Sequence, residues 1–272
     1  MTHWIERCRA ATTLVAFVVL HAAMLLAFLV PFEWSLLWWC GASYVVRMFG
    51  VTAGYHRYFS HRSYKLGRVA QGVMAVLAQT SGQKGVLWWA AHHRAHHRHA
   101  DTAHDVHSPR EGFWWAHFGW ILSSRHDTYD PRRVADFGRY PELRWLDRHH
   151  WVPTAACGIA IWAMGGVAAF VWGYIVATVA LYHATFAINS VAHIFGSRPY
   201  PTSDDSRNNA PLALLTMGEG WHNNHHHCMS SCRQGVGWRQ IDLTYAGLRV
   251  LDLLGIARDL RPFVSRDRQR AA

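Results

Sequence analysis

The sequence predicts an all-α integral membrane protein: four transmembrane helices in two hairpins, with a cytoplasmic helical cap carrying a histidine-ligated two-metal site. Three observations predict it. His56-Arg-Tyr-Phe-Ser-His61, His93-Arg-Ala-His96-His97 and His222-Asn-Asn-His225-His226 form three histidine clusters. Long apolar blocks lie between and beside them, and the basic residues fall almost entirely outside those blocks. The 272 residues could make one large or two small soluble domains, but apolar residues gathered into blocks fit a single membrane domain over 1–272 better.

The first block, 11–30, is about long enough to cross a ~30 Å hydrocarbon core at ~1.5 Å per residue, and Thr12, Thr13 and His21 are its only polar insertions. A cleavable signal peptide is the competing reading; the block's length and the span close behind it argue against cleavage. Pro31, Phe32 and Glu33 turn the chain into a second span, 34–55, interrupted only by Arg47. The second hairpin comprises 151–174 and 175–195, is hinged near Trp172-Gly173-Tyr174, and contains no Lys, Arg, Asp or Glu. Trp34, Trp38, Trp39, Trp151, Trp172 and Tyr174 sit near the span ends, as in an interfacial aromatic belt.

Apart from Arg47, every Lys and Arg lies on the N-terminus, the middle segment or the C-terminal region. The positive-inside rule places all three in the cytoplasm, so the cap comprises 56–150 and 196–272. This requires that 69–91 does not cross. Gly72, Gln79, Ser81, Gly82, Gln83 and Lys84 interrupt that stretch, which reads as interfacial or re-entrant. The net charge of +10 could suggest nucleic acid, but basic residues scattered between spans are explained more simply by anionic lipid headgroups. Only Lys65 and Lys84 are lysines among 27 basic residues, a bias that points to a bacterial source and hence to an inner membrane with the site on its cytoplasmic side.

In H-x-x-H-H the imidazoles fall at i, i+3 and i+4, so on a helix they share one face. Two such clusters exceed the four ligands of a tetrahedral zinc and favour two metals. His56 and His61 lie about 140° apart around an ideal helix and can both point inward only where the helix breaks. His21, His126, His149, His150 and His183 belong to no repeated pattern and read as packing or surface histidines. Cys8, Cys40, Cys157, Cys228 and Cys232 include no C-x-x-C pair, and a cytoplasmic face predicts no disulfide. Cys228, Cys232 and His227 are minor ligand candidates. Ligating histidines usually donate their second ring N–H to a carboxylate; Glu219 and Asp105 are the preferred partners, with Asp101, Asp204 and Asp205 as further candidates. No Glu-x-x-His pair projects from a span, which disfavours a carboxylate-bridged four-helix site.

Gly54-Tyr-His56-Arg57, Asn189-Ser-Val-Ala-His193 and Gly218-Glu-Gly-Trp-His222-Asn-Asn-His225-His226, together with the boxes and the stretches Asp101-Thr-Ala-His-Asp105-Val-His107 and Gly112-Phe-Trp-Trp-Ala-His117, resemble the integral-membrane fatty acyl desaturases of the stearoyl-CoA type. The resemblance spans about 34–260. It implies a di-iron centre held by His56, His61, His93, His96, His97, His193, His222, His225 and His226, with Asn189 completing one shell through water. Only the resemblance, not spacing, promotes His193.

What the resemblance implies is an oxidoreductase that inserts a cis double bond into an acyl chain, as acyl-CoA or acyl-lipid, with O2 and two electrons from an external donor such as a ferredoxin or a small cytochrome with its reductase. Imidazole ligands suit iron and leave positions for oxygen. A fatty acyl or alkane hydroxylase of the same membrane di-iron group is the alternative. A histidine-rich metal transporter is a remote one, because transport predicts ionisable residues along the spans and the second hairpin has His183 but no Asp, Glu, Lys or Arg. In the animal branch Arg-Asp precedes the second box and binds the CoA head, whereas here Ala91-His92 stands there; Arg125 is the remaining head-group candidate. Tyr44, Val45, Met48 and Thr52, one to three turns before His56, are the tunnel candidates, and Met48 stands where the family is typically small.

Overall fold

The computed structural model describes residues 2–264, with side-chain surroundings from residue 11 onward; Cys8 therefore lies outside the described side chains. The chain is mostly helical. Helix α1 (Thr2–Ala23) continues as a tighter turn to Phe28, and α2 (Trp34–Phe49) runs without interruption into a π-helical segment, Gly50–Ser60. There follow α3 (Arg68–Gln79), α4 (Val86–His99), α5 (Pro141–Arg148), α6 (Trp151–Ala169) and α7 (Ala177–Ser190). Three short helices complete the cap: α8 (Ala210–Leu215), α9 (His222–His227) and α10 (Leu243–Leu253). The only strands among the described residues are β1 (Lys65–Leu66) and β2 (Ala257–Arg258), an antiparallel pair that fastens the C-terminal segment beside the first histidine box.

Among the described residues two helical stretches are long and apolar enough to cross a membrane, Ala11–Phe28, none of it buried, and Trp151–His193. Within the latter, Gly166 adopts φ 70°, ψ −164°, a conformation that glycine accepts without a Cβ clash. The chain reverses there: Thr154 Oγ1 meets Tyr174 Oη at 2.8 Å, and Gly158 packs against the rings of Tyr174 and Phe170. The hinge of this hairpin is thus Gly166, not the expected Trp172-Gly173-Tyr174, which lies on the returning limb in a π-helical run, Phe170–Val176. The 69–91 stretch forms two helices broken between Gln79 and Val86. At twelve residues, α3 spans only about 18 Å. Its Val69, Val73 and Val76 are exposed while Met74, Ala75 and Ala78 join the core.

Helix α4 carries the second histidine box, and its start is held from α5. The half-buried Asp147 carboxylate accepts from Leu87 N and Trp88 N, both at 2.9 Å, through Oδ1, and from Tyr129 Oη through Oδ2. Val86 N donates to Gln79 Oε1. Position 85 must be glycine, since a Cβ there would lie 2.1 Å from Asp147 Oδ1. Asp147→Ala should cost about 2 kcal/mol of stability, whereas Asp147→Asn, which keeps the Oδ1 acceptor, should cost less; thermal unfolding in detergent measures both.

Candidate metal centre

The π-helical segment solves the spacing of the first box. With i→i+5 bonding, His61 N donating to His56 O at 3.2 Å, a residue and its fifth successor come to lie on one face. The helix is widened there rather than broken, and the rings of His56 and His61 stand 4.8 Å apart.

Nine histidines fall into two groups. Ligand atoms of His56, His61, His93, His97 and His225 lie within 4.8 Å of one another, as do those of His96, His193, His222 and His226. In the first group the Nε2 atoms of His56 and His225 are 3.1 Å apart, His61 and His93 2.9 Å, His93 and His97 2.9 Å, and His97 and His225 3.0 Å. In the second, His193 and His222 Nε2 are 3.0 Å apart. Two nitrogens at about 2.1 Å from a metal and at right angles around it are themselves about 3.0 Å apart, so the donor set fits transition-metal ions. Each H-x-x-H-H box divides between the groups. The i, i+4 pair His93/His97 serves the first while His96 serves the second; the pair His222/His226 serves the second while His225 serves the first.

Four carboxylates fix the ring orientations by accepting from Nδ1, leaving Nε2 for a metal. Asp105 takes His96 at 2.9 Å, Asp101 takes His193 at 2.8 Å, Asp204 takes His226 at 2.9 Å, and Glu219 takes His56. Asp101 reaches His193 from 92 positions away in sequence, with its own backbone at φ 58°, and also accepts from Asp205 N. His96 sits with Asp105 and His107 in a third, smaller cluster, but its Nδ1 is spent on Asp105 and only the otherwise partnerless Nε2 remains.

Glu219 is anchored by Arg57, a buried guanidinium with Nε and Nη2 at 3.0 and 2.9 Å from Glu219 Oε1 and Nη1 at 3.1 Å from Asp242 Oδ2. Gln234 Nε2 donates to Glu219 Oε2 at 2.7 Å. Asp242 in turn caps α10 through Tyr245 N. Gly218 is needed where these charges meet, since a Cβ would lie 2.5 Å from Asp242 Oδ1 and its φ is +125°. Asn208 holds the start of α9, its Oδ1 accepting from Asn223 N and Asn224 N. Sequence reasoning missed Arg57, Gln234, Asp242 and Asn208 as supports; the Gly54-Tyr-His56-Arg57 string contained one of them.

Electrostatics follow from burial. Burial, reinforced by the neighbouring imidazoles, holds His61, His93, His97, His222 and His225 well below the ordinary histidine value. His226 is pushed by burial to about 4, with Asp204 resisting. At His96 burial also opposes the charge, but the adjacent Asp105 outweighs it and raises the value. Burial would raise Glu219, yet His56 and Arg57 hold it at about 2. Near neutral pH most of the rings therefore keep a free lone pair.

Other candidates lie elsewhere. His227 stacks on Tyr200 with centroids 4.4 Å apart, and neither it nor Cys228 nor Cys232 joins a group. A cavity of about 960 Å³ runs from Tyr174 and Thr154 along α7 to Asn189 and His93, in the upper part of the ~300–1,000 Å³ range of ligand pockets. Asn189 is on this wall, as is His93 of the first histidine group. The expected tunnel residues are not. Met48 is buried in the main core, Thr52 bonds Thr244 and the Met48 carbonyl, Tyr44 donates to Leu215 O, and Val45 faces outward. The second helix turns these positions toward the cap core and the outer surface, and the cavity forms on the other flank, between α1, α4 and α7. Arg125 is exposed over the Trp115 ring, 5.5 Å from its centroid, while Lys84 and Arg148, which sequence reasoning did not select, reach the cavity wall.

Asp204→Ala should weaken metal binding by His96, His193, His222 and His226 about 10–100-fold and leave the five-histidine group at full affinity; Glu219→Ala should do the reverse. Titration of the metal-free protein with cobalt or zinc reads the two affinities separately.

Comparison with known proteins agrees with this geometry. The sequence profile described as fatty acid desaturase matches residues 32–252. The chain is 37% identical over 234 residues to the acyl-CoA C20 Delta5-desaturase of Anemone leveillei, covering 85% of this chain and 75% of that one. It is 36% identical over 255 residues to the sn-1 stearoyl-lipid 9-desaturase of Synechocystis sp., covering 93% and 80%, and 34% identical over 278 residues to the chloroplastic palmitoyl-monogalactosyldiacylglycerol delta-7 desaturase of Arabidopsis thaliana, covering 99% and 74%. A match over most of the chain, on a fold that gathers histidines from all three boxes, makes this protein a member of the fatty acid desaturase family and an oxidoreductase acting on fatty acyl chains.

Proposed function

We propose that the nine histidines hold two iron ions, five rings on one and four on the other, with Asn189 completing a shell through water, and that the enzyme inserts a cis double bond into the chain of an acyl-CoA or acyl-lipid. The observation that carries this is the convergence of Nε2 atoms at 2.9–3.1 Å around two centres. When bound, the irons would supply, with O2 and two electrons from an external ferredoxin or small cytochrome, the oxidant that an unactivated C–H bond demands. The protein's own part is positional. The cavity, with Trp88, Trp89 and Phe186 in its wall and His93 at the site, receives the tail, excludes water and fixes which carbons lie nearest the metals. Lys84 and Arg148, with Arg125 outside the wall, supply positive charge for a phosphate-bearing head.

The same reading places four spans in the bilayer, about 11–30, 34–55, and two limbs that meet at Gly166, with both cap segments cytoplasmic at a bacterial inner membrane. Epitope tags at the N-terminus, near Arg132 and at the C-terminus should all report cytoplasm; a tag near Arg132 found outside would break the model of the site. Expression in a host of known lipid profile, followed by mass spectrometry of the acyl chains, should reveal a new double bond that disappears in His97→Ala and His226→Ala. An added hydroxyl in its place would refute desaturation.

The cavity also predicts chain-length control. Ala16→Trp, on the α1 wall, should shift products toward shorter acyl chains. Met48→Ala should leave the product profile unchanged while lowering stability by about 2–5 kcal/mol, as for any truncated core residue.

A further inference from the structure

A second set of histidines lies outside both metal groups. His21 on α1, His117 in the turn Trp115–Gly119 and His183 on α7 form one hydrogen-bonded chain. His21 Nδ1 is 2.7 Å from the Phe17 carbonyl oxygen, His21 Nε2 is 3.1 Å from His183 Nε2, His183 Nδ1 is 3.0 Å from His117 Nε2, and His117 Nδ1 is 2.9 Å from Ser190 Oγ, which reaches the Phe186 carbonyl oxygen at 3.2 Å. His183 uses its two ring nitrogens on opposite neighbours, so the three rings do not converge as metal ligands would. Their remaining ring contacts are aromatic, with Phe17, Phe113, Trp114, Phe118 and Phe186.

Hydrogen counting shows what the chain can do. Both ends are carbonyl oxygens, which only accept. With three neutral rings and one hydroxyl there are four hydrogens for five contacts, and every ring stays satisfied only if the Ser190 hydroxyl turns to His117 Nδ1. With one more proton all five contacts are filled: His117 donates to Ser190, and Ser190 turns to the Phe186 carbonyl. The chain therefore exists in two states, one with four contacts filled and the Ser190–Phe186 contact open and one with all five filled, that differ by one proton and by the rotation of one hydroxyl. The extra charge can sit on any of the three rings. At the α1 end the His21 N–H is closed on a carbonyl, so the proton enters and leaves at Ser190.

We propose that His21, His117 and His183 form a one-proton store in the wall of the acyl cavity, loaded and discharged through Ser190. Phe17, Phe186 and Asn189 line that cavity, so the chain lies directly behind its wall and Ser190 is next in sequence to Asn189. The inference rests on the desaturase reading. In that reaction two C–H bonds break, a C=C bond forms, and dioxygen is reduced to two waters by two hydrogen atoms from the chain, which carry two electrons and two protons, by two electrons from the donor, and by two protons from the protein and its solvent. An acyl chain filling the cavity excludes bulk water, and a proton held behind the wall supplies one of those two, leaving at Ser190 on the side of the wall where Asn189 stands, to be replaced between turnovers.

The test uses the full chain in lipid nanodiscs, loaded with zinc, with isotope-labelled histidine nitrogens. Nuclear magnetic resonance should show two couplings across N–H···N bonds, His21 to His183 and His183 to His117, and all three rings should shift together in a single protonation step. Both couplings should vanish in His183→Gln. Missing couplings in the parent protein, or three separate steps, would overturn the store. In the iron-loaded enzyme His183→Gln should lower turnover about tenfold or more and enlarge the solvent isotope effect, with iron content and KM unchanged. Unchanged turnover, or a loss that only tracks lost iron, overturns its role. A parent protein that shows the couplings and the single step yet makes no double bond refutes the desaturase reading and not the store.

Discussion

Nine imidazoles, six of them buried, turn their ring nitrogens toward two points, and every other feature of the cap serves that convergence. His56, His96, His193 and His226 each donate Nδ1–H to a carboxylate, so each presents a lone pair at Nε2, and His56 faces His225, and His193 faces His222, at hydrogen-bond distance. Without a metal, His225 and His222 can meet these lone pairs only by turning their own Nε2–H to them, which uses up the nitrogen that would ligate, and protonation of either ring is opposed by burial. A cation at each centre would instead accept a lone pair from every ring of its group. The rest of the cap follows from the need to bring these nitrogens to two points. A widened helix aligns His56 with His61, Asp147 sets where α4 begins, and Asn208 sets where α9 begins.

The carboxylates carry the constraint outward. Asp101 and Asp204 tie the hairpin's end and the third box to loops distant in sequence, and Glu219 joins the first box to the buried Arg57, which also binds Asp242 at the head of α10. Removing one partner of such a buried network leaves a desolvated charge behind, which costs more than the contact itself is worth. The centre and the fold of the cap are therefore one cooperative unit, and loss of a support such as Arg57 should disturb both.

The boxes were legible because H-x-x-H-H is a local pattern whose geometry any helix supplies. The division of each box between two centres was not, because it depends on which side α4 and α9 meet. Likewise Asp105 stands nine residues after the His96 it holds, whereas Glu219, three residues before His222, serves His56 of the first box and Asp101 serves His193, partners on other elements that sequence neighbourhood does not reveal. The hinge was misplaced because Trp172-Gly173-Tyr174 carries turn-forming and interfacial residues, while the actual reversal at Gly166 lies in Gly165-Gly166 within an unbroken apolar run. The tunnel candidates inferred from the second span lie off the cavity for a different reason. Helical phase before His56 is shifted by the π-helical segment, and Met48 turns into the core instead of toward the cavity.

The central claim, that two irons sit in unequal histidine environments, is tested most directly by Mössbauer spectroscopy of the purified protein loaded with the enriched isotope. Two quadrupole doublets of equal area, from two irons per chain, are predicted. His222→Ala should remove the one that belongs to the four-histidine group. A single doublet, or an iron content of one per chain that no reconstitution raises, would contradict the account.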